Sequence, residues 1–328
     1  MAPALLEVSQ LSVGYGWELP PSVIAVRDVS LTVSAGEIFG IAGESGCGKT
    51  TLALTAAGLL EPPGRVISGA VRFEGTDLTT LSADELRRMR LAEIAVVFQA
   101  SMNVLNPVMR IRDQFYDAMA AHGISSKTEA RERADDSFDL VKIPRRFFDA
   151  YPHQLSGGMR QRAVIALAIV LRPKLLFLDE PTTALDVVVQ RTILESLDEL
   201  RRELGFGVVF ITHDLSLLVE IADRIAIMYA GVIVEEAPAR ELYERPGHPY
   251  TRALMSAFPP LGGPRERLPG IGGQPPDLRS LPIGCPFAPR CPQKIEGVCD
   301  TVAPPHVQRN PAHRVVCQLE ARGEADLV

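Results

Sequence analysis

The sequence predicts an α/β fold built on a mostly parallel sheet, on three observations. Short all-apolar runs, Ile38-Phe39-Gly40-Ile41-Ala42, Leu175-Leu176-Phe177-Leu178 and Val208-Val209-Phe210-Ile211, suit strands buried on both faces. Helix-forming stretches alternate with these runs, as they do when helices cover both faces of a sheet. Each run ends in a glycine-rich or polar step, and such sheets place ligands at the carboxyl ends of their strands. Gly43, Gln99, Asp179 and His213 all fall at that edge.

Between Leu6 and Val33 apolar and polar residues alternate (Leu6, Val8; Val29, Leu31, Val33) around Gly14, Gly16, Pro20 and Pro21, which predicts an antiparallel β edge. The run 38–42 then enters Gly43-Glu44-Ser45-Gly46-Cys47-Gly48-Lys49-Thr50-Thr51, followed by helix formers until Gly58. Strand, glycine-rich loop and helix in that order make a phosphate cradle. The glycines let backbone N–H groups turn inward, the helix N-terminus adds about half a positive charge, and Lys49 supplies a point charge. Residues 71–75 read as another strand and turn. Ser82-Ala83-Asp84-Glu85 is a capping box that opens a helix. Residues 95–99 form a strand stopped by Gln99, and helices are expected at about 112–121 and 127–141, so a helical insertion interrupts the α/β core.

Ser156 reads as an N-cap, and with Gly157 and Gly158 it makes a second anion site ahead of an amphipathic run over 163–171. The next strand runs into Asp179-Glu180. A carboxylate there suits Mg²⁺, usually through water, and its neighbour suits polarising an attacking water. A helix over 187–204 ends at Gly205, and the strand 208–212 leads to His213, placed to orient a phosphate and a water. The Gln99 amide has the chemistry to touch the metal or water.

The chain has 328 residues, enough for two to three units at about 100 to 200 residues each. Net charge is −6 with no basic block, which argues against nucleic acid or anionic lipid as the main partner. No apolar run reaches membrane-span length, and the N-terminus lacks a basic region followed by an apolar core, so a cytosolic chain is expected. Half of the 26 prolines lie between Pro259 and Pro311, and four of the five cysteines, Cys285, Cys291, Cys299 and Cys317, crowd into the same tail. This shift places a boundary near Phe258. The four thiols, spaced by five, seven and 17 residues, allow disulfides, zinc or a [4Fe–4S] cluster. A reducing compartment disfavours the first, and no C-x₂₋₄-C pair supports the second.

Residues 43–50 are similar to a Walker A motif, 175–180 to a Walker B with its glutamate, Gln99 to a Q-loop, Ala184-Leu185-Asp186 to a D-loop and His213 to a switch histidine. Leu155-Ser156-Gly157-Gly158-Met159-Arg160-Gln161 resembles the signature of ATP-binding-cassette (ABC) ATPases. The resemblance implies a P-loop ATPase core over residues 1–238 with a helical subdomain at about 82–172. Lys49 and Thr50 then hold phosphates and Mg²⁺, together with the loop residues Gly43 to Thr51. Asp179 and Gln99 serve the metal, Glu180 the water, and His213 and Gln99 the γ-phosphate side. Tyr15 matches the aromatic that stacks on adenine, with Trp17 as the alternative. Cys47 stands where serine is commoner, and its thiol is an expected point of oxidation.

The resemblance also implies that Ser156, Gly157, Gly158 and Gln161 act on ATP held by a second ATPase subunit, identical or related; with one cradle in the sequence, two chains are expected to face head to tail. Residues 245–254 and 285–292 resemble the C-terminal extension of oligopeptide and dipeptide importer ATPases, which sets a second region at 239–328. By that resemblance the four cysteines hold a [4Fe–4S] cluster, with zinc as the alternative. It also implies two transmembrane permease subunits, an extracytoplasmic peptide-binding protein acting indirectly, and a peripheral place on the cytoplasmic face of the bacterial inner membrane. Residues 101–110 are expected to pass movement to the permease. Nickel or another small solute is the alternative cargo, and a soluble ATPase acting on nucleic acid or ribosomes the more distant one.

Overall fold

The computed structural model describes residues 4–98, 104–181, 187–256 and 270–323. The chain opens with β1 (Ala4–Tyr15), β2 (Val23–Ser34), β3 (Ile38–Ala42), α1 (Lys49–Ala56), β4 (Gly64–Phe73) and β5 (Thr76–Asp77). Next come α2 (Ala83–Met89), β6 (Ile94–Val97), α3 (Ile111–Ala120), α4 (Lys127–Leu140), α5 (Gly157–Ile169) and β7 (Leu175–Asp179). Then follow α6 (Val187–Leu204), β8 (Gly207–Thr212), α7 (Leu215–Ile221), β9 (Arg224–Tyr229) and β10 (Val232–Pro238). The chain closes with α8 (Ala239–Glu244), α9 (Pro249–Ser256), β11 (His306–Asn310), β12 (His313–Val316) and α10 (Gln318–Arg322). The expected boundary at Phe258 lies outside the described residues, as do Gln99 and Asp186.

The chain packs as two compact units. The first comprises Met1–Leu6, Val33–Glu37 and Glu74–Val209. Its strands β6 and β7 are parallel, pairing Ile94 with Leu175 through Val97 with Leu178. All five residues of β7 are buried, which is why the sequence needs apolar residues on both faces of it. The helical insertion packs around Phe115, Phe138 and Phe148, whose rings meet edge to face at 5.5 to 5.7 Å. Ser82 and Glu85 close the expected capping box on α2. The run 163–171 departs from expectation. Ala163, Val164, Ile165, Ala166, Ala168 and Ile169 are all buried, so α5 is enclosed on most sides rather than amphipathic. Contacts with α4 and β6 account for this.

The second unit comprises Glu7–Thr32, Ile38–Phe73 and Phe210–Val328. One sheet carries β2, β1 and β4 in that order, and another carries β11, β12, β10, β9 and β3. Within the latter, β3 is parallel to β9, from Phe39 opposite Arg224 to Ala42 opposite Ile227. The remaining pairs, β9 with β10, β10 with β12 and β12 with β11, are antiparallel. The C-terminal strands β11 and β12 therefore extend this sheet from the proline-rich side of the expected boundary. β11 is polar and half-exposed, whereas β12 buries His313 and Val315 and pairs with β10 along its backbone.

Candidate nucleotide site

β3 delivers the glycine loop at its carboxyl end. At Gly43 the φ of +155° and the Met228 carbonyl, 2.1 Å from where a Cβ would lie, leave no room for a side chain. Gly48, at φ +107°, meets the Ala25 carbonyl in the same way at 2.2 Å. The loop backbone is thus pressed against the strands behind it, and the Cys47 carbonyl accepts from the Gly231 N–H at 2.9 Å. α1 begins at Lys49 with no side-chain cap, which leaves the N–H groups of its first turn to an anion rather than to a capping side chain. Lys49, 6% exposed, arches over the loop and donates to the Gly43 and Glu44 carbonyls at 2.8 and 2.9 Å. Exposed Thr50 follows, and the Thr51 hydroxyl meets the Tyr15 hydroxyl at 3.2 Å.

Tyr15, Lys49, Thr51 and the loop are therefore one neighbourhood. Tyr15 is half-buried whereas Trp17 is 79% exposed, which favours Tyr15 as the ordered ring. His213 is exposed just past β8, ahead of Asp214, which caps α7 by accepting from the Leu217 N–H. The Cys47 thiol departs from expectation: burial pushes its pKa up despite the nearby Lys49 ammonium, so it is a protonated, shielded thiol.

In the first unit, Asp179 ends β7 and is 3% exposed. Half-buried Glu180 follows at φ +47°, a left-handed conformation uncommon for a residue with a side chain. Ser156 caps α5, accepting from the Met159 N–H at 3.3 Å, and is itself exposed, with Gly157 and Gly158 opening the helix. Gln161, grouped with these three by sequence, is buried instead.

Sequence reasoning missed the residues around Glu44. The Arg290 guanidinium forks onto both Glu44 carboxylate oxygens at 2.6 and 2.9 Å, and the Tyr250 hydroxyl accepts from the Glu44 N–H at 2.9 Å. The separation of 246 residues hides the first contact from any local pattern.

The five cysteines are free thiols. Burial pushes Cys285 and Cys291 up to about 11 and raises Cys317; Cys299 adds to the rise in all three, and Cys317 to that in Cys285 and Cys291. The sulfur of Cys299 accepts from the Ile295 N–H at 3.4 Å, and backbone N–H groups of Phe287, Gln293 and Leu319 favour the thiolates of Cys285, Cys291 and Cys317. Among the described residues no three His, Cys, Asp or Glu side chains form a group that holds a metal ion.

Residues 26–183 match the ABC transporter family, and residues 234–299 match the oligopeptide/dipeptide transporter C-terminal region. The dipeptide transport ATP-binding protein DppD of Bacillus subtilis is 44% identical over 302 residues, 91% of this chain and 90% of that protein. The oligopeptide transport ATP-binding protein OppD of Escherichia coli is 43% identical over 318 residues, 96% of this chain and 93% of that protein. Among solved structures, the dimeric bacterial ABC transporter cassette MJ0796 superposes with TM-score 0.63 at 29% identity, covering 72% of this chain and 99% of that one. CbiO1 of Clostridium perfringens, part of an ABC transporter complex, gives TM-score 0.64 at 27% identity over 74% of this chain and 91% of its own. With relatives this similar along nine-tenths of its length, the chain belongs to the ABC transporter family, as an ATPase of the oligopeptide/dipeptide branch.

Proposed function

We propose that this ATPase powers the import of di- or oligopeptides from the cytoplasmic face of a membrane, docked beneath two permease subunits that an extracytoplasmic peptide-binding protein supplies. The observation that carries the reading is the glycine loop with Lys49 arched over it, on a chain whose residues 234–299 match the peptide-transporter region. Among the described residues no helix is long and apolar enough to cross a membrane, so the passage itself is assigned to the permease. Lys49, Thr50 and the loop N–H groups hold the phosphates. Thr50, Gln99 and Asp179 hold Mg²⁺, whose chemistry is to neutralise charge developing on the transferred phosphoryl group. Glu180 orients the attacking water, and His213 and Gln99 attend the γ-phosphate side.

Ser156, Gly157 and Gly158 complete the site of a second ATPase subunit, identical or related, with Asp186 between the two. The exposure of Ser156 at the start of α5 supports this, and Gln161, buried one turn on, is read with them as part of the same signature. Residues 1–238 form the cassette and 239–328 the extension, whose four cysteines bind a [4Fe–4S] cluster. The backbone N–H donors at the four sulfurs support that assignment, since such donors stabilise metal-bound thiolate. Bound there, the cluster cross-links a segment with little regular structure.

Co-purification from membranes with integral subunits, followed by peptide-stimulated ATP hydrolysis in liposomes, tests the reading. Stimulation by nickel and not by peptide overturns the cargo, and recovery only with nucleic acid overturns the importer. Glu180→Gln keeps ATP binding and lowers turnover by about 10² to 10⁴-fold. Iron, sulfide and zinc analysis of anaerobically purified protein tests the cluster, which a colourless, zinc-loaded sample overturns.

A further inference from the structure

An anion cradle that carries its own carboxylate has an electrostatic problem. Glu44 directly follows Gly43 in the loop, and a bare carboxylate there opposes the positive helix terminus and Lys49 in holding a polyanion. The structure answers with a single side chain. Arg290, 5% exposed, forks onto Glu44, itself 25% exposed, in the planar bidentate geometry that guanidinium and carboxylate share. Arg290 is in turn fixed from the sides. Its Nε donates to the Gly272 carbonyl at 2.8 Å and one Nη donates to the Tyr229 hydroxyl at 3.3 Å. Tyr229, Tyr250 and Phe287 pack with ring centroids 4.6 to 5.3 Å apart, and Tyr250 receives the Glu44 N–H. Side chain and backbone of Glu44 are thus both held by residues well beyond residue 200.

We propose that Arg290 is the counter-ion of the nucleotide cradle, a positioning residue that neutralises Glu44 and so sets the affinity of the loop for polyphosphate from within the C-terminal region. This rests on the reading of residues 43–51 as the nucleotide cradle. Two features distinguish it from a mere anchor for the extension. Loss of Arg290 leaves a partly buried, uncompensated carboxylate in the loop, so the penalty belongs to the charge of Glu44 and vanishes when that charge is removed. The penalty also grows with the negative charge of the ligand.

Equilibrium binding of ATP and ADP to the purified full-length chain tests this with Arg290→Ala, Arg290→Lys, Glu44→Gln and the Arg290→Ala/Glu44→Gln pair. Arg290→Ala weakens ATP binding about ten-fold and ADP binding less, and the loss shrinks as salt is added. The double variant binds within about two-fold of Glu44→Gln alone, because no charge then awaits compensation. Arg290→Lys, which keeps the charge without the fork, recovers part of the loss and serves as the readout if Arg290→Ala does not fold. A double variant as weak as Arg290→Ala, or an equal loss for ATP and ADP, overturns the proposal and leaves Arg290 as packing. Wild-type protein that binds neither nucleotide overturns the reading of the loop, and this inference with it.

Discussion

Glu180 sits at φ +47°, where the β-carbon of an L-residue crowds its own backbone, while Asp179 one step earlier lies in regular strand. Strain of this kind persists where its surroundings hold the residue for a task. Glu180→Gly is therefore expected to raise stability to chemical denaturation by about 1 kcal/mol while abolishing turnover, whereas Glu180→Gln leaves stability unchanged. The loop glycines divide by the same logic. Gly43→Ala drives a methyl group into the Met228 carbonyl, so it is expected to cost about 1 to 3 kcal/mol and more than ten-fold in ATP affinity. Gly46, at φ +79° with open space around it, is the control: Gly46→Ala costs only the backbone term, about 1 kcal/mol. Cys47, shielded and protonated, is expected to resist alkylation under native conditions and to react at the ordinary thiol rate once the chain is unfolded, as mass spectrometry would read.

At the scale of elements, the helical insertion depends on three edge-to-face rings, and Phe138→Ala is expected to cost about 3 to 5 kcal/mol, measured by denaturant unfolding. The β10–β12 pair hides a charged arrangement instead. His313, fully buried, lies 2.8 Å from Glu235 on β10 and 3.0 Å from Glu241 on α8. Burial alone pushes His313 down, but the two carboxylates outweigh it and hold its pKa above the usual 6.5. Its contribution is therefore complete below that value and is lost as pH rises through the raised pKa. Burial pushes Glu235 up, yet His313 and the Gly247 and His248 amides overcome it, and His313 likewise holds Glu241 low. Both carboxylates contribute above their ordinary 4.5 and lose that contribution as pH falls. His248, driven to about 4 by burial, works in the opposite sense to His313, favouring the fold above 6.5 and losing its contribution toward 4. The destabilisation by His313→Gln is accordingly expected to be larger at about pH 6 than at about pH 9. None of this arrangement was legible in the sequence, because its members are 72 and 78 residues apart and polar residues in a hairpin carry no burial signal. The strands β3, β7 and β8 and the capping box were legible because each is written within a few neighbouring residues. α5 was misread because a helix enclosed by neighbours has no polar face for periodicity to find.

At the scale of the molecule, one cradle and one signature helix with an exposed Ser156 cap predict ATPase activity per subunit that falls on dilution, as association is lost by mass action. A specific activity constant across the dilution series, with unchanged light scattering, would remove the second subunit from the scheme. The division into two compact units was not readable from composition, since it cuts between Leu6 and Glu7, Thr32 and Val33, and Phe73 and Glu74, where nothing in the sequence changes character. The strand, glycine loop and helix order of the cradle was legible because it is written within residues 38–56, whereas the Arg290–Glu44 pair was not. Because Arg290 lies 246 residues after Glu44, a ribosome adding about 5 to 20 residues per second makes the loop roughly 10 to 50 seconds before its counter-ion. Until then Glu44 lacks the guanidinium that pairs with it, so a product truncated before Arg290 is expected to hold nucleotide no better than the Arg290→Ala chain.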